Sequence, residues 1–188
     1  MPKSVTFDRE RVVEDVMQLF WKKGYNGTSM QDLVDVTGLN RSSFYNSFGD
    51  KFSLFQEALK HYQLRQDEMI KGFMSGSHTP KEAIISLFKG ISEDIRGGNQ
   101  KGCMITSCTS EMAAEDERVK QFLIKNKNQV VDIFERLIKA AQAKGEIEES
   151  RNARSMALFL FSSLQGLRLV SMIERDAEGV VEEILRVL

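Results

Sequence analysis

The 188-residue chain is short of the residues that mark most specialised folds, with two cysteines, two prolines, two histidines and one tryptophan. A single C-x4-C pair, Cys103 and Cys108, is too sparse for a disulfide framework. It supplies two of the four ligands a structural zinc takes, so reduced thiols and no metal are expected. With His61 and His78 as the only histidines there is no H-E-x-x-H pattern, and neither a G-x-S-x-G elbow nor a phosphate-cradling glycine loop occurs. These absences argue against an enzyme and against a cofactor. Charge of one sign is lacking too: the formal net charge is -1, and residues 1–60 balance eight Lys or Arg against eight Asp or Glu. Any nucleic-acid binding must then rest on a few well-placed donors, because no bulk positive charge supplies the non-specific term.

Long apolar runs are scarce as well. The opening MPKSVTF lacks the stretch a secretory signal needs, which leads to the expectation of a cytoplasmic protein. Residues 156–173, MALFLFSSLQGLRLVSMI, approach the length of a membrane span, but Arg168, Gln165 and three serines are costly in a bilayer. A helix apolar on nearly every face is buried on more than one side. One face therefore joins its own domain and the other a second copy of the chain, with Gly166 and Ser162–Ser163 allowing close approach. A homodimer through the last two helices is expected, with no membrane association.

Apolar residues make up 41% and charged residues 28%, the composition of a globular protein. The patterning is helical throughout. Val12, Val13, Val16, Met17 and Phe20 form one stripe behind Asp8. Thr28, three residues before Gln31, has the spacing of a capping box, and the helix it opens must stop near Gly38. Leu39 then plugs the turn. Asn40 caps a third helix with Phe44 and Phe48 inward, and Asp50 caps a long fourth. Thr79, Pro80 and Glu82 open a fifth helix, which runs to Gly97–Gly98. Further helices are expected at about 103–112, 115–144, 150–173 and 176–188. The predicted fold class is all-α, about nine helices, with an N-terminal three-helix unit over 1–52 and a C-terminal helical unit over 53–188.

The short second and third helices around Thr37-Gly38-Leu39 form the helix-turn-helix. With Phe44 and Phe48 inward, the third helix shows Arg41, Ser42, Ser43, Asn46 and Ser47 outward, none acidic. That face suits a major groove, where donors and acceptors meet base edges.

The run GYNGTSMQDLVDVTGLNRSSFYNSFGDKFSLF, residues 24–55, resembles the TetR-type transcriptional regulators. It carries the G-[YF] start, the Thr, the Gly turn, the Y-x-x-F and the Lys opening the next helix. The resemblance implies that Thr28, with Ser29 beside it, holds a phosphate at a helix N-terminus. It implies that Tyr45 donates to a second phosphate and that Lys51 clamps the backbone. Arg41, Ser42 and Ser43 would address base edges, with Asn46 and Ser47 at the far end. Val34 and Thr37 depart from the small alanines usual there, which puts the tilt of the reading helix in question.

The resemblance implies that the helix-turn-helix DNA-binding domain over 1–52 binds a double-stranded DNA operator and that the C-terminal ligand-binding and dimerisation domain over 53–188 answers to a small-molecule effector. Tyr62, Met69, Phe88, Met104, Cys108, Phe122, Phe161 and Gln165 combine apolar walls with a few polar tips, as cavities for a mainly hydrophobic ligand do. The same residue types at helical spacing also make plain core. Two other readings stand beside this one: thiol sensing through Cys103 or Cys108, with Lys101 nearby, and a helical small-molecule-binding protein without DNA activity.

Overall fold

The computed structural model describes residues 7–98, 101–174 and 178–188. Among them lie nine helices and no strand: α1 Arg9–Lys23, α2 Met30–Thr37, α3 Arg41–Phe48, α4 Lys51–Met74, α5 Pro80–Arg96, α6 Met104–Met112, α7 Glu117–Ala143, α8 Ala153–Val170 and α9 Glu178–Leu185. Residues 1–6 and the expected start of the last helix at Asp176 fall outside the described residues.

Local chemistry sets most boundaries. Asp8, Asn40, Asp50, Asp116 and Asn152 each accept a backbone N–H from the first turn of the helix they cap, and such a cap contributes about 1 kcal/mol. Thr79 and Glu82 form a reciprocal capping box with Pro80 at the first helical position. At α2 the cap is Ser29, whose hydroxyl accepts from Asp32 N–H while the Asp32 carboxylate accepts from Ser29 N–H. This corrects the expected Thr28–Gln31 pairing. The Thr28 hydroxyl turns inward and donates to Gly24 O at 2.7 Å, satisfying a carbonyl left over at the end of α1.

Apolar packing gathers into two cores. The first joins α1, Leu33, Leu39, Phe44 and Phe48 to the early turns of α4, then to α6 and the start of α7. The second joins the end of α4 to α5, α7, α8 and α9. The boundary expected between 52 and 53 falls in the first turn of α4, which runs on unbroken from one core to the other. No helix among the described residues is long and apolar enough to cross a membrane.

Candidate nucleic-acid interface

Three helices hold the reading surface. Gly38 ends α2 in the left-handed conformation (φ 65°), which glycine adopts without steric cost, and Leu39 is buried behind it. Thr37, bulkier than the alanine usual there, fits because its hydroxyl is used. It donates to Leu33 O at 2.7 Å and accepts from Leu39 N–H at 3.3 Å, tying the turn to the helix before it. Val34 is half-buried on the flank.

From this base α3 projects with Phe44 and Phe48 buried and Arg41, Ser42, Tyr45 and Asn46 exposed. Ser43 and Ser47 are half-buried. Tyr45 is 49% exposed, its ring edge-on to Phe44, so the phenol points away from the core. α3 carries no carboxylate in its first turn. Its far end is braced by Arg9, which sequence reading missed: the guanidinium donates to Ser47 O at 2.9 Å, pairs with Glu57 and lies 4.5 Å from the centre of the Phe48 ring.

Around α2 the arrangement is more crowded than expected. Thr28 is fully buried, and Ser29, though exposed, gives both its N–H and its hydroxyl to Asp32. The Asp32 carboxylate takes hydrogen bonds from Lys23 Nζ at 2.6 Å and from Ser29, and these hold its pKa well below the ordinary carboxylate range. Lys51 stands at the start of α4 with its ammonium 4.4 Å from the Tyr25 ring centroid. Burial lowers its pKa against the pull of Glu111 and Asp32.

The effector set is divided. Tyr62 and Met69 line a cleft of about 360 Å³ among α1, α4 and α5. Phe161 and Gln165 line another of about 330 Å³ among α6, α7 and α8, where the Thr106 hydroxyl donates to Gln165 Oε1 at 2.5 Å. The other four line neither: Phe88 is core, stacked on Phe134, Met104 and Cys108 are buried in the first core, and Phe122 packs against it. Both cysteines are buried. Burial, then the charges of Glu111 and Cys103, push the Cys108 thiol up to about 12, which disfavours the reactive thiolate.

A link between the halves was not legible in the sequence. Glu111, on α6, accepts the backbone N–H of Tyr25 at 2.9 Å and of Asn26 at 2.6 Å, the loop that leads into α2.

Two family models cover most of the chain: the bacterial regulatory proteins of the tetR family match residues 14–58, and the tetracyclin repressor-like C-terminal domain matches residues 82–185, more than half of the sequence. The chain belongs to the TetR family. As a TetR-family member it is a helix-turn-helix transcriptional regulator and not an enzyme. It is 25% identical over 186 residues to the uncharacterized HTH-type transcriptional regulator YezE of Bacillus subtilis, covering 98% of this chain and 96% of that one. It is 28% identical over 171 residues to the HTH-type transcriptional repressor DhaR of Mycobacterium sp. strain GP1, covering 90% and 85%. In fold it superposes on a cysteine mutant of the TetR family transcriptional regulator CifR, complexed with 26-base-pair double-strand operator DNA, with a TM-score of 0.86 at 24% identity and 98% coverage of both chains.

Proposed function

We propose that this regulator is a cytoplasmic repressor that binds a palindromic operator as a homodimer and releases it when a small effector with a mainly apolar body enters the C-terminal helices. The observation that carries this reading is the outward face of α3. Arg41, Ser42, Tyr45 and Asn46 stand exposed on a helix braced from behind by Phe44, Phe48 and Arg9. Ser29, Tyr45 and Lys51 are the proposed phosphate contacts. Arg41, Ser42 and Ser43 are the proposed base contacts, with Asn46 and Ser47 at the far end.

One arginine and two serines discriminate by only about 1–3 kcal/mol per good bidentate pair, so two heads on one duplex are needed. The second copy has a surface to meet. Leu158, Phe159, Leu169, Val170 and Met172 are exposed along and just past α8, with Val180 on α9, and nothing lies within 4 Å of a side chain built on Gly166. The DNA-bound CifR mutant and the repressor DhaR support the same reading.

Titration of the DNA upstream of its own coding region, at several salt concentrations, tests the proposal. A head neutralising about four phosphates gives a log–log slope near -4 per protomer. A flat salt response, or no preference for that fragment over random duplex, rejects it in favour of a carrier.

A further inference from the structure

Three features that the DNA-reading head does not use meet in one corner of the molecule. The first is Arg168 on α8, 6% exposed. Its one side-chain contact of hydrogen-bonding type is Nη2 to the Met69 sulfur at 4.0 Å, and it makes no ion pair among the described residues. Burying a guanidinium without an anion is among the most expensive arrangements a fold can hold.

The second is Tyr62 on α4. Its phenol is 1% exposed and its oxygen has no hydrogen-bond partner, although the Cys103 thiol, the Met104 amide and the Arg168 charge are all near enough to act on it.

The third is the start of α6. α1 to α5, α7 and α8 all have a side-chain cap, whereas Cys103 caps α6 with no side-chain hydrogen bond. Gly102, just before it, sits against α8, with a side chain there 3.4 Å from Arg168 O.

Tyr62 and Met69 line a cleft of about 360 Å³, and Arg168 stands behind Met69 rather than in that lining. Met17, Trp21 and Met69 give it apolar walls. Lys101 and Arg65 stand at its rim with Gln18, Gln66 and one acid, Asp94. Arg65 already pairs with Glu14, and Lys101 donates to Gln18 and lies over the Trp21 ring, so of these three cations Arg168 alone is buried. At about 30 Å³ per water the space equals a dozen waters, the size of an aryl or short alkyl acid.

We infer that the effector is a small organic carboxylate, seated with its apolar body on Met17, Trp21 and Met69 and its carboxylate drawn to Arg168, the Tyr62 hydroxyl and the uncapped start of α6. A carboxylate accepts from a guanidinium, a phenol and a backbone amide alike, and supplies the charge Arg168 lacks. A neutral ligand leaves that guanidinium unpaired. This deepens the proposed effector response and rests on it. It also places the ligand head against α6, the helix whose Glu111 holds the loop before α2.

Calorimetric titration of the full chain with 3-phenylpropionate and with its neutral amide, 3-phenylpropanamide, tests the assignment. The acid binds at least about tenfold more tightly than the amide. Arg168→Met abolishes that preference, and Tyr62→Phe weakens the acid several-fold. Arg168→Met also melts no lower than the parent, because an apolar side chain replaces an unpaired buried charge. Equal binding of acid and amide, no acid binding at up to about 1 mM, or a large drop in the melting temperature of Arg168→Met overturns it. Retention of upstream DNA by the same preparation without ligand separates the two readings. DNA binding without acid binding removes the carboxylate and leaves the regulator, and acid binding without DNA binding does the reverse.

Discussion

The Glu111 carboxylate lies 2.6 Å from the backbone nitrogen of Asn26, across 85 residues of sequence. Its other oxygen takes Tyr25 N–H at 2.9 Å, so one side chain on α6 holds two consecutive amides of the loop entering the DNA-reading head. Charge-assisted hydrogen bonds of this kind contribute about 1.5–3 kcal/mol. Glu111→Ala therefore loosens the loop and lowers operator affinity several-fold. Amide hydrogen exchange reads it directly: Tyr25 and Asn26 lose protection first, and unchanged protection there would falsify the link.

Gly24 precedes that loop with φ +73°, and a side chain built on it meets Glu111 Oε2 at 2.7 Å. Gly24→Ala is then both strained and crowded, a destabilisation of about 1–3 kcal/mol. In a Glu111→Ala background the crowding is gone and the same substitution costs less, a coupling that a double-mutant cycle measures. Additive effects would show that the contact is not shared.

On the reading helix, Arg41→Ala and Tyr45→Phe part company. The arginine is exposed at the first position of α3 and the phenol is half exposed a turn later. Loss of Arg41 costs about 1–3 kcal/mol and relaxes base preference at one position of each half-site. Loss of the Tyr45 hydroxyl weakens all duplexes alike. Binding selections on a randomised operator distinguish them.

Asp116 caps α7 and accepts from Arg118 N–H, Val119 N–H and the Arg118 guanidinium. The Arg118 side chain, more than the two backbone donors, draws its pKa down to about 2. A carboxylate depressed in the folded state stabilises fully above its unfolded pKa of about 3.9, and that contribution is lost as pH falls through the folded value. Asp116→Asn keeps the capping oxygen and removes the charge. Denaturation midpoints of the parent fall more steeply than those of the variant between about pH 4 and pH 2. Parallel curves would remove Asp116 from the acid response.

Cys108 predicts its own inertness. With the thiol raised to about 12, about one molecule in ten thousand carries the thiolate at about pH 8. Iodoacetamide modifies the native chain orders of magnitude more slowly than the unfolded one, and operator binding survives the treatment. Rapid native labelling of Cys108 would restore thiol sensing as a serious reading.

Much of this architecture was legible because capping is local. Asp8, Asn40, Asp50 and the Thr79-Pro80-Glu82 start each act within one turn, so the residues alone place the helix. Thr28 and Ser29 show where that logic ends. Both are hydroxyls at plausible spacing, and the choice is made by Gly24 O, which needs a donor from the next loop. The family resemblance named residues of which Arg41, Ser42, Tyr45 and Asn46 stand exposed, while Thr28 lies where its hydroxyl is buried. The effector set was the least legible. Phe88 and Met104 share the spacing of Tyr62 and Phe161, and only packing decides which of them faces a cleft. Nothing local announced Glu111 or the burial of Arg168, since both depend on helices distant in sequence.

α4 gives these parts a mechanical relation. Its 24 residues make a rod about 36 Å long at about 1.5 Å per residue, seated at one end beneath the reading head and at the other beside α5 and α7. A rod of that length, turned by about 5°, swings its tip about 3 Å, close to the 3.4 Å spacing of successive bases on one strand. A rotation of about 5° is thus large enough to carry each head out of step with its half-site.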